Sequence, residues 1–249
     1  MVEREGGCIA WGGAVRLSPA DNVIIRIERA LDIDTEGQMI AFVLSKKIAA
    51  GATHLVLDIP FGPTAKVRST DQANVLSAGL MAVAEAFGIR TKVSIGDGRQ
   101  AIGHGIGPAL EAYDVLAVLQ GAMDAPQDLR ARALILAREL IELAGAAPEG
   151  QGETLATRTL DDGRAWAKFQ RICEAQGGMG APPKSRHRRP LVAERAGRVD
   201  DIRQSQACPA RKARRRSRRQ GRWCRAARQT RKFGFGRSAL VHHSRGIAG

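Results

Sequence analysis

The chain has 249 residues, of which 44% are hydrophobic and only 4% aromatic, so it could hold one large or two small domains with an aliphatic core. Its formal net charge of +14 would ordinarily indicate a nucleic acid or an anionic membrane as partner. The excess lies at one end, however: residues 202–249 hold 15 basic residues and no acidic one, whereas residues 1–201 hold 24 basic and 25 acidic ones. The first 201 residues therefore have the charge balance of an ordinary globular protein.

The four cysteines, Cys8, Cys173, Cys208 and Cys224, form no C-x-x-C pair. This spacing disfavours a disulfide framework or a zinc site and favours reduced thiols, so we expect no metal. Neither a long apolar run nor the basic-then-apolar start of a signal peptide occurs. These features together predict a cytoplasmic protein with no membrane partner.

Helical and strand patterns alternate along the chain, which is typical of an α/β domain with parallel strands and right-handed crossovers. The predicted elements are helix 36–50, strand 54–59 ended by Pro60, a helix from Ser69 or Thr70 to about Phe87, strand 91–95, a helix from Pro108, helix 127–144, and a helix capped by Asp161 or Asp162. Glycine and proline pairs near residues 177–183 predict a linker. We therefore expect an α/β core over residues 1–150, a helical extension over 151–180, and a linker with a disordered basic tail over 181–249.

A glycine-rich segment, residues 96–107, follows the second predicted strand and precedes a helix. Backbone N–H groups at such a place can bind an anion, but the spacing is not that of the dinucleotide motif. Anion binding and a merely tight connection both fit this segment. His104 within it is expected to be a solvated loop residue, with ligand contact as the alternative.

Several charged residues precede or follow the predicted elements. Lys46 and Lys47 lie in the last turn of the first helix, where the helix dipole favours cations in any case. Asp34, taken alone, is a turn or cap residue more readily than a general acid. Lys66 comes just after the end of a strand, which is a common position for ligand contact in α/β proteins.

The order of these segments resembles the thymidine phosphorylase family, in particular the branch that includes AMP phosphorylases. The motifs that carry the resemblance are Trp11-Gly12-Gly13-Ala14, Ser18-Pro19-Ala20-Asp21, Ile25-Arg26-Ile27-Glu28, Leu44-Ser45-Lys46-Lys47, Asp58-Ile59-Pro60, and Gly62-Pro63-Thr64-Ala65-Lys66-Val67, followed by residues 103–111 and 161–178. The resemblance spans roughly residues 8–178. It implies part of the central α/β domain of a type II nucleoside phosphorylase.

The resemblance implies a pentosyltransferase that splits a pyrimidine nucleoside or a nucleoside monophosphate with inorganic phosphate, releasing the base and a (deoxy)ribose 1-phosphate. Asp34 matches the proton donor of the AMP-cleaving branch, and Lys66 matches a lysine that contacts the nucleotide. Arg26 and Lys46 match the residues that hold the base carbonyls in pyrimidine-specific members. The implied partners are the nucleoside or nucleotide and phosphate, with no cofactor; relatives form homo-oligomers, and the state of this chain stays open.

The chain also departs from the family pattern. Phe42, after Ala41, stands where the family has a serine, and a phenyl ring cannot donate that hydrogen bond and would intrude on the base. His104 stands where an arginine is expected. The family's earlier helical domain and phosphate-holding segments have no counterpart, so the resemblance predicts a truncated chain without phosphorolysis activity.

The basic tail supports two interpretations. With permitted codons, three stretches of residues 202–249 share one shifted reading frame, in which they read Asp-Asn-Arg-Lys, Gly-Ala-Glu-Leu-His-Val and Phe-Thr-Ile-His-Ala-Glu-Ser-Pro-Gly. These strings resemble the family's C-terminal domain and predict that the tail is out of frame. The alternative is a non-enzymatic α/β domain with an arginine-rich arm that binds nucleic acid, since clustered arginines contact phosphates.

Overall fold

The computed structural model describes residues 2–9, 35–63, 65–184, 189–191, 222–226 and 241–245. The chain forms two compact units: residues 1–99, 134–159 and 168–178 make up unit 1, and residues 100–133, 160–167 and 179–249 make up unit 2. The domain boundaries expected from the sequence stay a prediction. Within the described residues, no helix is long and apolar enough to cross a membrane.

The described residues contain both helices and strands. In chain order they are α1 Val2–Glu5, α2 Glu36–Ala49, β1 His54–Phe61, α3 Thr70–Ala86, β2 Arg90–Asp97, β3 Gly105–Ile106, α4 Pro108–Leu119, α5 Gln127–Leu143, α6 Gly152–Asp161, α7 Arg164–Ala175, β4 Arg189–Leu191, β5 Arg222–Ala226 and β6 Val241–Arg245.

The centre of unit 1 is a two-stranded parallel sheet. Strands β1 and β2 pair in register from His54 opposite Arg90 to Phe61 opposite Asp97. One face of β1 packs with α2 and α3 around aliphatic side chains, in a core made of Leu44, Leu55, Leu57, Ile59, Val67, Ala73, Leu76, Leu80, Ala84 and Ile89. Burying a large aliphatic side chain stabilises a fold by about 1.5–3 kcal/mol. The α/β class with parallel strands and flanking helices is therefore confirmed.

Local signals fixed the ends of α3. Ser69 Oγ accepts a hydrogen bond from the Gln72 backbone N–H at 3.2 Å, which satisfies one of the unpaired amides of the first turn. The chain leaves the helix at Gly88, whose φ of +72° is the left-handed conformation that glycine adopts without strain. In the same unit, a Cβ on Gly79 of α3 would come 2.7 Å from Ile40 Cδ1 of α2. The two helices can therefore pack closely at this point because Gly79 has no side chain.

Among the longer elements, the structure differs from the sequence prediction at β1 and at α6. Strand β1 continues through Pro60 to Phe61, where a strand end was expected. A proline is tolerated in a strand whose N–H side needs no partner, and β1 has a strand neighbour on one edge alone within the described sheet. Helix α6 was not predicted, because it is only 10 residues long and few of its residues are apolar.

The N-terminal segment of unit 1 contacts α7. Glu5 lies 3.5 Å from Lys168 Nζ and 3.6 Å from Arg171 Nε. The side-chain amide of Gln176 pairs with the main chain of Ile9, accepting from its N–H at 2.7 Å and donating to its C=O at 2.5 Å. Residues 2–9 are therefore held to α7 and the residue after it by ion pairs at Glu5 and by hydrogen bonds to the main chain of Ile9.

Unit 2 contains α4 and a four-stranded sheet of order β3-β5-β6-β4 in which every neighbouring pair is antiparallel. Pro108 stands in the first turn of α4, as predicted, where its missing N–H costs nothing. Strands β5 and β6 belong to the segment that was predicted to be disordered from its composition. They form because antiparallel pairing uses main-chain N–H and C=O groups, which remain available whatever the charge of the side chains. The rest of residues 202–249 lies outside the described residues, and its disorder stays a prediction.

Candidate functional site

The carboxyl end of the parallel sheet is the place in unit 1 where loops meet. Phe61 ends β1 beside Asp97, which ends β2, and the Phe61 carbonyl accepts from the Gly98 N–H at 2.7 Å. The loop after β1 turns back at once, because the Gly62 N–H donates to the Val67 carbonyl at 3.0 Å. Lys66 is exposed on this loop, at the sheet edge where α/β proteins bind ligands.

Two glycines bring the loop after β1 and the turn after β2 into backbone contact. A Cβ on Gly62 would lie 2.9 Å from the Arg99 backbone N, and a Cβ on Gly98 would lie 3.0 Å from Pro60 Cβ. Real Cβ atoms do not approach backbone atoms so closely, so only glycine fits at Gly62 without movement. The loop of residues 62–68 and the turn of residues 98–99 are therefore packed backbone to backbone, and we call them together the interlocked edge.

The turn after β2 carries an ion pair that sequence reasoning missed. The Arg99 N–H donates to Asp97 Oδ1 at 2.9 Å, while Arg99 Nε and Nη2 donate to the same carboxylate at 2.9 and 2.7 Å. These hydrogen bonds and, after them, the negative charge of Asp97 raise the pKa of Arg99 above its ordinary value. The Asp-Gly-Arg spacing could have indicated it, because an aspartate often accepts from the N–H two residues on.

Lys46 is half-buried on α2, and Phe42 lies one turn before it. Lys46 Nζ is 5.6 Å from the centroid of the Phe42 ring and 3.4 Å from the Phe42 carbonyl oxygen, to which it donates. Side chains on a helix lean toward its N-terminus, which brings residues four apart together. The aromatic ring that departs from the family pattern therefore lies against the lysine expected to hold the base.

The other two expected site residues, Arg26 and Asp34, lie outside the described residues. Of the four, the structure thus describes Lys46 and Lys66, which stand on different elements of unit 1: Lys46 on α2 and Lys66 on the loop after β1.

The glycine-rich loop of unit 2 uses its own backbone N–H groups internally. The N–H groups of His104 and Gly105 donate to Asp114 Oδ2 at 2.8 and 2.6 Å, and the Gly103 N–H donates to Asp128 Oδ2 at 3.2 Å. Asp114 is buried, with 3% of its surface exposed. Of the two interpretations of this loop, the tight connection fits, because the N–H groups that could bind an anion already donate to the carboxylates of Asp114 and Asp128.

Within the described residues, no three His, Cys, Asp or Glu side chains come together in a way that could hold a metal ion.

An exposed basic edge at the carboxyl end of a parallel sheet is typical of the α/β proteins that bind small anionic ligands. Comparison with known proteins is more specific. Over 202 residues, or 81% of this chain, it is 62% identical to the putative thymidine phosphorylases of Chelativorans sp. (strain BNC1) and Sphingopyxis alaskensis, covering 40% and 39% of their lengths. It is 57% identical over 202 residues to the one of Legionella pneumophila (strain Paris), again with 81% of this chain and 39% of the relative covered.

At such identity, the chain belongs to the family of these putative thymidine phosphorylases. It spans about 40% of the length of the curated relatives it matches. No protein-family model matches it.

Proposed function

We propose that the chain carries the nucleoside-handling part of a pyrimidine-nucleoside or nucleoside-monophosphate phosphorylase, a pentosyltransferase that acts in the cytoplasm. The observation that supports this most strongly is the 62% identity over 202 residues to putative thymidine phosphorylases. The position of Lys66 at the carboxyl edge of the sheet fits a ligand-binding role as well. The ligands are a nucleoside or nucleotide and inorganic phosphate, and no cofactor is required.

In the proposed reaction, the glycosidic bond between C1′ of the sugar and the base nitrogen breaks, and a bond from C1′ to a phosphate oxygen forms. Asp34 donates a proton to the departing base, which makes the base a better leaving group. Arg26 and Lys46 hold the base carbonyls, where cations stabilise the negative charge that develops on the leaving group. Lys66 contacts the nucleotide. The products are the free base and a (deoxy)ribose 1-phosphate.

We further propose that this polypeptide alone does not catalyse the reaction. Phe42 supports this, since its ring lies beside Lys46 Nζ, where a base carbonyl would have to bind. The purified chain should release no base from thymidine, uridine, cytidine 5′-monophosphate or AMP with millimolar phosphate, as measured by liquid chromatography. Protein-dependent release of base would contradict this part of the proposal.

The family function of these residues is tested by a chimera. Residues 2–201 replace the matching stretch of the Chelativorans protein, which serves unaltered as the positive control. We expect the chimera with Phe42→Ser to release base from thymidine, and the same chimera with Lys66→Ala to lose most of that activity. An inactive, correctly folded Phe42→Ser chimera beside an active parent protein would count against the assignment.

A second candidate function rests on the charge of the C-terminal tail. The 15 basic residues of residues 202–249, with no acidic residue among them, would supply phosphate contacts for a nucleic-acid-binding arm. Binding of duplex DNA by the full chain should then show sequence preference and be lost when the chain is cut after Asp201. Binding that is strong but indifferent to sequence, and that falls steeply with salt, is what an out-of-frame basic tail gives.

A further inference from the structure

Three exposed basic residues lie on the two segments that meet at the interlocked edge of unit 1. Lys66 and Arg68 lie on the loop after β1, and Arg99 lies on the turn after β2. The contact between Gly62 and the backbone of Arg99 fixes how the loop and the turn stand relative to each other. A ligand at the carboxyl end of the sheet would therefore meet cations from two strands rather than from one.

We propose that Arg99 acts together with Lys66 to bind a phosphate group at this edge. The inference rests on the proposed function, in which Lys66 contacts the nucleotide, and adds a residue that neither the sequence motifs nor the comparisons single out. Arginine suits this role because its planar guanidinium offers paired N–H groups to phosphate oxygens.

Asp97 orients the Arg99 guanidinium and leaves part of it available to a ligand. The carboxylate engages Nε and Nη2, and among the described residues Nη1 has no hydrogen-bond partner. Holding one side of the guanidinium restricts the side chain, so less conformational freedom is lost when the other side binds a ligand. The negative charge of Asp97 also repels phosphate, but both side chains are largely exposed, at 70% and 56%, and water and salt screen this repulsion.

The phosphate group has two possible sources in the proposed reaction, the inorganic co-substrate and the 5′-phosphate of a nucleotide. Both present the same oxygens to Arg99. The glycine-rich loop, which the sequence also offered as an anion site, does not compete for this role, because Asp114 and Asp128 accept from its N–H groups.

The test is isothermal titration of the full chain at 150 mM salt with inorganic phosphate, thymidine and thymidine 5′-monophosphate. Arg99→Ala should weaken binding of a phosphate-bearing ligand about 5–20-fold and leave thymidine binding unchanged. Arg99→Lys should fall between, since it keeps the charge and loses the paired geometry. Arg90→Ala is the matched control, because it removes the same exposed charge at the other end of β2.

The three ligands separate the two sources. A loss confined to thymidine 5′-monophosphate assigns Arg99 to the 5′-phosphate, and an equal loss for inorganic phosphate assigns it to the co-substrate. Unchanged binding in Arg99→Ala, or an equal loss in Arg90→Ala, would overturn the inference while leaving the proposed function intact. If no phosphate-bearing ligand binds the unaltered chain, the inference is overturned as well; the proposed function is judged separately, by release of base from the Phe42→Ser chimera.

Discussion

Lys46 reaches back along α2 to Phe42, so that its Nζ lies 5.6 Å from the ring centroid and 3.4 Å from the carbonyl oxygen of that residue. A cation over an aromatic face is attracted by about 0.5–1 kcal/mol at exposed sites. The ring therefore holds the lysine as well as filling the space beside it.

Phe42→Ser should improve binding of a nucleoside to the chain. The substitution removes the ring that holds Lys46 and supplies the hydroxyl that the family resemblance implies at this position, and a hydrogen bond of this kind contributes about 0.5–1.5 kcal/mol. We expect thymidine to bind about 3–10-fold more tightly in isothermal titration. Phe42→Ala is the control, since it removes the ring without adding a donor and should recover only part of the gain. Equal or weaker binding by Phe42→Ser would contradict the role given to the ring.

Gly62→Ala should destabilise the protein by about 1–3 kcal/mol, because the new Cβ would lie 2.9 Å from the Arg99 backbone N and backbone atoms yield less than side chains. Urea denaturation measures this free energy. Gly37→Ala is the matched control: it lies in α2, its Cβ would meet nothing within 4 Å, and alanine should stabilise the helix by up to about 1 kcal/mol. A Gly62→Ala protein as stable as the unaltered chain would show that the two loops are not interlocked.

Asp114→Ala should destabilise unit 2 by about 2–4 kcal/mol, because it leaves the N–H groups of His104 and Gly105 without their acceptor in a buried place. Asp124→Ala removes the same charge from an exposed position and should change the free energy of unfolding by less than about 0.5 kcal/mol. Hydrogen exchange of the 103–105 amides reports the same contact directly. Slow exchange that persists in Asp114→Ala would mean that Asp114 does not hold the loop.

Glu5 should make the attachment of residues 2–9 depend on pH. Burial acts to raise the pKa of Glu5, but the hydrogen bond from Arg4 and the positive charge of Lys168 outweigh it, so this pKa lies below its ordinary value of 4.5. A carboxylate with a lowered pKa in the folded state stabilises it above the ordinary value, and that contribution is lost as the pH falls through the lowered one. The melting temperature of Glu5→Gln should therefore be below that of the unaltered chain at pH 6, and the difference should shrink as the pH falls below 4.5. Glu3→Gln, which removes the same charge from an exposed residue of α1, is the matched control. A gap for Glu5→Gln that does not change with pH would refute the ion-pair account.

Much of unit 1 could be predicted from the sequence because its signals are local. The serine cap at Ser69 and the glycine stop at Gly88 define α3 within a few residues of chain. The continuation of β1 through Pro60 could not be predicted in this way. Whether a proline interrupts a strand depends on which edge has a neighbour, and only the folded sheet determines that.

The candidate site shows the same division. Lys66 follows a strand in the sequence, so its place at the sheet edge could be predicted. Arg99 could not, because its closeness to the loop after β1 depends on the register that sets Phe61 opposite Asp97. The internal hydrogen bonds of the glycine-rich loop could not be predicted either, since the residues that accept them, Asp114 and Asp128, come later in the chain.

The claim that a nucleotide binds at the carboxyl edge of the parallel sheet is tested most directly by locating the bound ligand. Backbone amide shifts of the ¹⁵N-labelled full chain are followed by NMR during titration with thymidine 5′-monophosphate. We predict that the shifts concentrate on residues 62–68 and 97–99 and on the surroundings of Lys46, while residues 103–107 stay unmoved. Shifts confined to residues 103–107, or no saturable shift anywhere in residues 35–99, would contradict the assignment of a nucleotide site to this sheet edge.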